Sequence, residues 1–251
     1  MSRRRVAAAA VPLLAAALSL TGCGNAGGLK SGGPTPSAVG PARLWPELKP
    51  ARPDEESGLN EVTIEVVKGI DVPKADLHNV DPLDIIKAEA EAHPDTYTGP
   101  DALPEQTAKA IKACTGEADD KACPVLEAYY RDLTGNGKDE LIVGIKFDGE
   151  EQGTIGIRVY SLDQGKLIRI MGMSQPVLSV ELAGRDLIIR SPAHIPGYEY
   201  RDAWSWSADQ HALLPQRMEI IRSLPSGSPT PKPAPSPVRP GSSPSAPAAK
   251  P

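Results

Sequence analysis

Hydrophobic positions change their period along this chain. Between Asp81 and Pro94, Leu83, Ile86 and Ala90 recur at the spacing of one helical face. Asp81 can cap the first turn, and Pro82 takes the first helical position, where a missing N–H is harmless. His93-Pro94 closes that segment. A second helix is predicted after Pro104, with Ala108 and Ile111 on its apolar side and Gly116 near its end. After Cys123 the period becomes two. Strands are predicted over 126–131, 140–147, 154–161, 166–173, 178–182, 186–191 and 199–205, with an earlier one over 62–67. Asp148-Gly149, Asp163-Gln164-Gly165 and Ala183-Gly184 mark turns between them. Helices followed by consecutive strands predict an α+β fold: N-terminal helices, then an antiparallel β meander, in a single domain.

Composition sets the limits of that domain. Residues 23–58 are rich in Gly, Pro and Ser, the make-up of an extended tether. Leu44-Trp45-Pro46 is an apolar island within it, either docked on the domain or exposed. Residues 225–251 are Pro-rich and cannot build a core; an extended, solvated tail is expected there. The globular domain is therefore expected over 59–224, between disordered flanks. The chain is acidic, with a formal net charge of −5. That sign argues against nucleic acid as a partner, since phosphate backbones call for a basic surface.

The N-terminus carries the most specific signal. Arg3, Arg4 and Arg5 precede an uncharged run over 6–20, and Leu20-Thr21-Gly22-Cys23 follows. The run is short of the ~20 residues that span a bilayer as a helix. The four residues that end it resemble the lipobox of bacterial prolipoproteins. The resemblance implies a signal peptide over 1–22, cleavage before Cys23, and lipid on the Cys23 thiol. The mature protein would then be held at the extracytoplasmic face of the cell membrane. One acyl chain binds reversibly; two or three anchor stably.

Three cysteines are present. With Cys23 assigned to lipid, Cys114 and Cys123 form an even pair in an oxidising compartment, where a disulfide is expected. A redox or metal role is disfavoured, because CxxC spacing is absent and no histidine lies near.

One motif carries chemistry. The run from Asp132 to Leu141, of form D-x-T-G-N-G-x-D-E-L, lies between two strand-like segments. It resembles the calcium loops of FG-GAP, dockerin and EF-hand sites. Carried over by position, the ligands would be Asp132, Thr134, Asn136, the Lys138 carbonyl and Glu140. Only two of those ligands carry formal charge, so Ca²⁺ would bind weakly, at ~10⁻⁴ to 10⁻³ M. The other reading is a hairpin loop whose Asp and Asn side chains bond their own backbone. Tyr198, Tyr200, Trp204 and Trp206 alternate along one strand, as the buried face of a sheet or as a stacking row for a sugar or peptide. His78, His93, His194 and His211 show no ligand spacing, and no GxSxG, HExxH or P-loop is found.

The lipobox, the Pro-rich flanks and the D-L-T-G-N-G-K-D-E loop together resemble actinobacterial lipoproteins of the CseA group, encoded beside a cell-envelope stress sigma factor and its two-component system. The resemblance implies a non-catalytic protein that restrains a sensor kinase by contact with its extracytoplasmic domain. A cell-wall hydrolase with an unrecognised acidic site and a solute-binding lipoprotein are the alternatives.

Overall fold

The computed structural model describes residues 40–52, 62–94, 102–116, 120, 122–147 and 152–223. The lipobox, Cys23 and the Pro-rich tail lie outside the described residues.

Two five-stranded antiparallel sheets and two helices make up the fold. The middle sheet has the order β2 (Glu65–Val66), β6 (Lys166–Pro176), β5 (Thr154–Asp163), β4 (Glu140–Lys146) and β3 (Tyr129–Arg131). The outer sheet has the order β1 (Ala42–Leu44), β7 (Ser179–Ala183), β8 (Asp186–Pro192), β9 (Tyr198–Ser207) and β10 (Ala212–Arg222). Helices α1 (Pro82–Ala92) and α2 (Glu105–Ala113) lie on the far side of the middle sheet. Asp81 does cap α1, accepting from Leu83 N at 2.9 Å, with Pro82 in the first turn.

The middle sheet is largely buried on both faces, which explains its near-continuous hydrophobic runs. Along β4, Leu141, Val143 and Ile145 face the helical layer, where Ile85, Ile86 and Ile111 are fully buried. Ile142 faces the other way, and with Ile155, Ile157, Val159 and Met171 it packs on Val180, Leu187, Ile189, Trp204 and Leu213 of the outer sheet. Successive side chains of a strand point to opposite faces, so each strand feeds both cores.

The expected order of elements is corrected here. The helices are not N-terminal, because β1 and β2 precede them in the chain. The single meander is two: β3 to β6 in one sheet and β7 to β10 in the other, closed at their inner ends by β2 and β1. A strand absent from the expectation, β10, forms an edge of the outer sheet that pairs with no further strand among the described residues. The tether boundary also moves. Ala42–Leu44 pairs with β7 in the register Ala42↔Leu182 and Leu44↔Val180. Trp45 is buried, its Nε1 donating to the Glu127 carbonyl at 2.7 Å and its ring meeting Tyr129 edge-on. Gly144 makes room for it: a Cβ there would lie 2.8 Å from the indole. The Gly and Pro around Trp45 set the composition, but three apolar side chains (Leu44, Trp45 and Ala51) set the structure by being buried.

Cys114 and Cys123 form a disulfide with Cα atoms 5.1 Å apart. It ties the end of α2 to the segment that leads into β3.

Candidate functional site

The Asp132–Asp139 loop joins β3 to β4, whose pairing ends at Arg131↔Glu140. Its two glycines, Gly135 and Gly137, have φ of 79° and 81°, a conformation that a side chain resists. Inside the turn, Asp132 accepts from Gly135 N (2.6 Å) through one oxygen and from Gly137 N (3.0 Å) through the other. Asn136 Oδ1 accepts from Lys138 N at 2.7 Å. Glu140 points into the protein. Its Oε2 accepts from Leu133 N (2.7 Å) and Thr134 N (2.9 Å), and its Oε1 from Ser161 Oγ (3.0 Å) and Thr134 Oγ1 (3.3 Å). Leu133, between these donors, is plugged into the core between the sheets.

Four of the five predicted ligand positions therefore lie in one loop and the fifth, Glu140, opens β4; the oxygens of Asp132 and Asn136 serve the loop backbone, and Thr134 Oγ1 donates to Glu140. Burial pushes the Glu140 carboxyl above its ordinary value, and the bonds from Thr134, Leu133 and Ser161 oppose that rise. A cation already approaches the loop: a Cβ on Gly135 would lie 1.7 Å from Arg185 Nη1, which reaches over from the β7–β8 turn. Lys138 is exposed.

The loop forms a ridge between two clefts. On one side, about 320 Å³ is bounded by Asp76, His78, Lys138 and Asp139. There His78 Nε2 lies 3.2 Å from Asp139 Oδ2, and its ring stacks on Tyr130 with centroids 4.0 Å apart. Burial and the carboxylates of Asp81 and Asp76 push the Tyr130 phenol up. On the other side, about 210 Å³ is bounded by Thr134, Asn136, Asp163, Trp206 and His211. The rings of Trp206 and His211 meet edge-on. Both clefts offer hydrogen-bonding groups around an aromatic ring, the furnishing of a recognition surface.

The row on β9 divides. Trp204 is in the core, Trp206 is half-buried beside the second cleft, and Tyr198 is exposed. Among the described residues, the grouping of metal-ligating type is Cys114, Asp120 and Cys123. Its two sulfurs are bonded to each other, and Asp120 accepts from Thr115 N and Ala122 N.

Sequence reasoning missed a charged cluster beneath α1. Arg158 on β5 and Arg169 on β6 are each 2% exposed. Arg169 donates to Glu89 Oε1 at 2.8 Å, to Thr63 Oγ1 at 3.0 Å and to Glu65 Oε2 at 3.2 Å. Arg158 lies 3.6 Å from the other Glu89 oxygen and donates to the Met173 carbonyl at 2.9 Å. His93 Nε2 closes the set at 2.7 Å from Glu65. Two arginines shared by two carboxylates satisfy a buried charge that either alone would leave uncompensated. The Tyr160 phenol, buried near Glu89, is pushed well up. The available signal was an arginine at the middle of each of two apolar strands.

No known protein family, curated protein or solved structure matches this chain.

Proposed function

We propose that this protein is an extracytoplasmic lipoprotein, anchored by lipid on Cys23, that regulates envelope-stress signalling by binding another envelope protein without catalysing a reaction. The observation that carries the reading is the lipobox Leu20-Thr21-Gly22-Cys23 behind a basic start and an uncharged run. The Cys114–Cys123 disulfide agrees with export, since such bridges persist in oxidising compartments. Anchoring confines the domain to the plane where a sensor kinase displays its outer domain, so weak contacts become effective through local concentration. The loop ridge and its two clefts offer polar and aromatic groups for such a contact.

The likeness to CseA-group lipoproteins gives the direction: restraint of the kinase at rest. Deleting the gene should raise the basal stress response. A copy carrying Cys23→Ala, which cannot be lipidated, should restore repression poorly. An unchanged response in the deletion strain, with hydrolysis of peptidoglycan by the purified protein, would transfer the assignment to a wall enzyme. Ligand-dependent stabilisation by a small solute would transfer it to solute binding.

A further inference from the structure

The geometry points to a twofold dimer in which the free edge of β10 pairs antiparallel with β10 of a second copy, its axis at Ile220. The inference stands on β10 alone and goes beyond the regulatory reading. A monomer that represses the stress response would leave that reading in place, and a dimer that does not repress would leave this one.

The backbone direction follows from the ladder. Arg222 faces Tyr198 and Glu219 faces Arg201. Ser223 N donates to the Gly197 carbonyl at 2.9 Å. Bonded and non-bonded pairs alternate in an antiparallel ladder, so Ile221, Glu219 and Arg217 also direct their N–H and C=O groups at β9. Met218, Ile220 and Arg222 then direct theirs outward. The neighbour agrees: the Tyr198 carbonyl accepts from Ala193 N on the β8 side, turned away from β10. A bulge between Pro215 and Arg217 ends this regular edge, and Pro215 has no N–H to offer. The open template is residues 218–222.

Self-pairing fits that template in one register. Among symmetric arrangements, only an axis at Ile220 bonds all three outward residues to one another: Ile220 to its copy, and Met218 to the copy's Arg222, twice. That makes six main-chain hydrogen bonds. An axis at Met218 runs into the bulge and Pro215. Axes at Glu219 or Arg222 set like charges face to face, which is destabilising. In the Ile220 register Glu219 faces Ile221 and Arg217 faces Ser223, so no like charges meet directly. Glu219 is already matched within its own chain by Arg201, at 2.9 Å.

The side chains agree. Ile220 is 53% exposed and Met218 62% exposed, an unusual display on an edge strand with no lysine to guard it. Ile220 faces Tyr200 across the β9–β10 ladder. Pairing therefore lines up Tyr200, Ile220, Ile220 and Tyr200 in one apolar row across the two copies. The opposite edge, β1, is three residues long, so the twofold closes and does not propagate.

The test is cysteine cross-linking of the full chain in membranes that carry it. Ile220→Cys should form a disulfide-linked dimer by itself, since facing Cα atoms on paired strands stand about 5.5 Å apart, within disulfide reach. Met218→Cys and Arg222→Cys should cross-link to each other when co-expressed, and each alone should form no disulfide-linked dimer. In sedimentation of the purified chain, Ile220→Lys should lower the dimer fraction at least roughly tenfold by setting two ammonium groups together. At concentrations low enough that the parent is monomeric, its thermal unfolding should match the parent, because the position is exposed. Self-linking of Met218→Cys or Arg222→Cys in preference to Ile220→Cys would overturn the register. A parent chain that sediments as a monomer and an Ile220→Cys chain that fails to cross-link would overturn the dimer, as would dimers that survive Ile220→Lys.

Discussion

Replacing Glu140 separates the two readings of the loop. In Glu140→Ala, the main-chain N–H groups of Leu133 and Thr134 lose their acceptor, and the hydroxyls of Ser161 and Thr134 lose theirs. A buried donor without a partner costs about 1–3 kcal/mol. The hydroxyls rotate to other partners, and the Thr134 N–H is only partly buried. A total of about 3 kcal/mol is therefore expected. For a domain of this size, that is a fall in Tm of roughly 6–12 °C. Glu140→Gln keeps one oxygen for both N–H groups and turns its amide toward hydroxyls that can accept, so about 1 kcal/mol is expected. Urea denaturation followed by tryptophan fluorescence measures both.

The same variants carry a pH signature. Burial raises the folded-state pKa of Glu140 above its ordinary 4.5. The folded chain then takes up a proton at a higher pH than the unfolded chain. Its contribution is fully present below 4.5 and is lost as pH rises through the raised value. The parent should thus gain stability over Glu140→Gln as pH falls from neutral toward 4.5. A loss below about 1 kcal/mol in Glu140→Ala, with calcium stabilising the parent far more than the variant, would refute the internal role and restore the cation site.

Three further outcomes are expected. Trp45→Ala should lower stability by about 3–5 kcal/mol in the same assay, since it empties a buried site and frees the Glu127 carbonyl. Glu89→Ala should cost about 3–5 kcal/mol by removing the carboxylate that Arg158 and Arg169 share, and adding Arg169→Met should recover part of that loss. Reducing Cys114–Cys123 should cost somewhat under ~3 kcal/mol, as its loop is short, and a non-reduced digest analysed by mass spectrometry should contain the linked peptides.

How much was legible depended on which signal was local. The cap of α1 was readable because Asp81 and Pro82 act on their own turn. Strands β4 to β9 were readable because apolar and β-branched runs of strand length are separated by turn residues, most of them glycine. The assignment of strands to two sheets was not, because a run apolar on both faces, such as 141–145, does not say which layer lies on each side. β10 escaped because Pro215 and the charges at Arg217, Glu219 and Arg222 interrupt the pattern on an edge that has solvent on one side. β1 escaped because three residues among glycines and prolines carry no period; only Gly144, far along the chain, records the space Trp45 needs. The loop's residues were found, but spacing does not reveal that Glu140 turns inward, which Ser161 on the neighbouring strand decides.

Trp45 gives the chain a mechanical joint. Any force on the chain N-terminal to β1 would reach the domain through that strand, whose ladder with β7 has three residue pairs. A ladder this short resists little force alone. Immediately behind it, the indole is hooked to the Glu127 carbonyl, just before β3, and laid against Gly144 of β4, in the sheet that β1 does not pair with. Tension arriving from the N-terminal side is therefore passed across the gap between the sheets and borne by the whole sandwich, so β1 can peel while the rest of the domain holds.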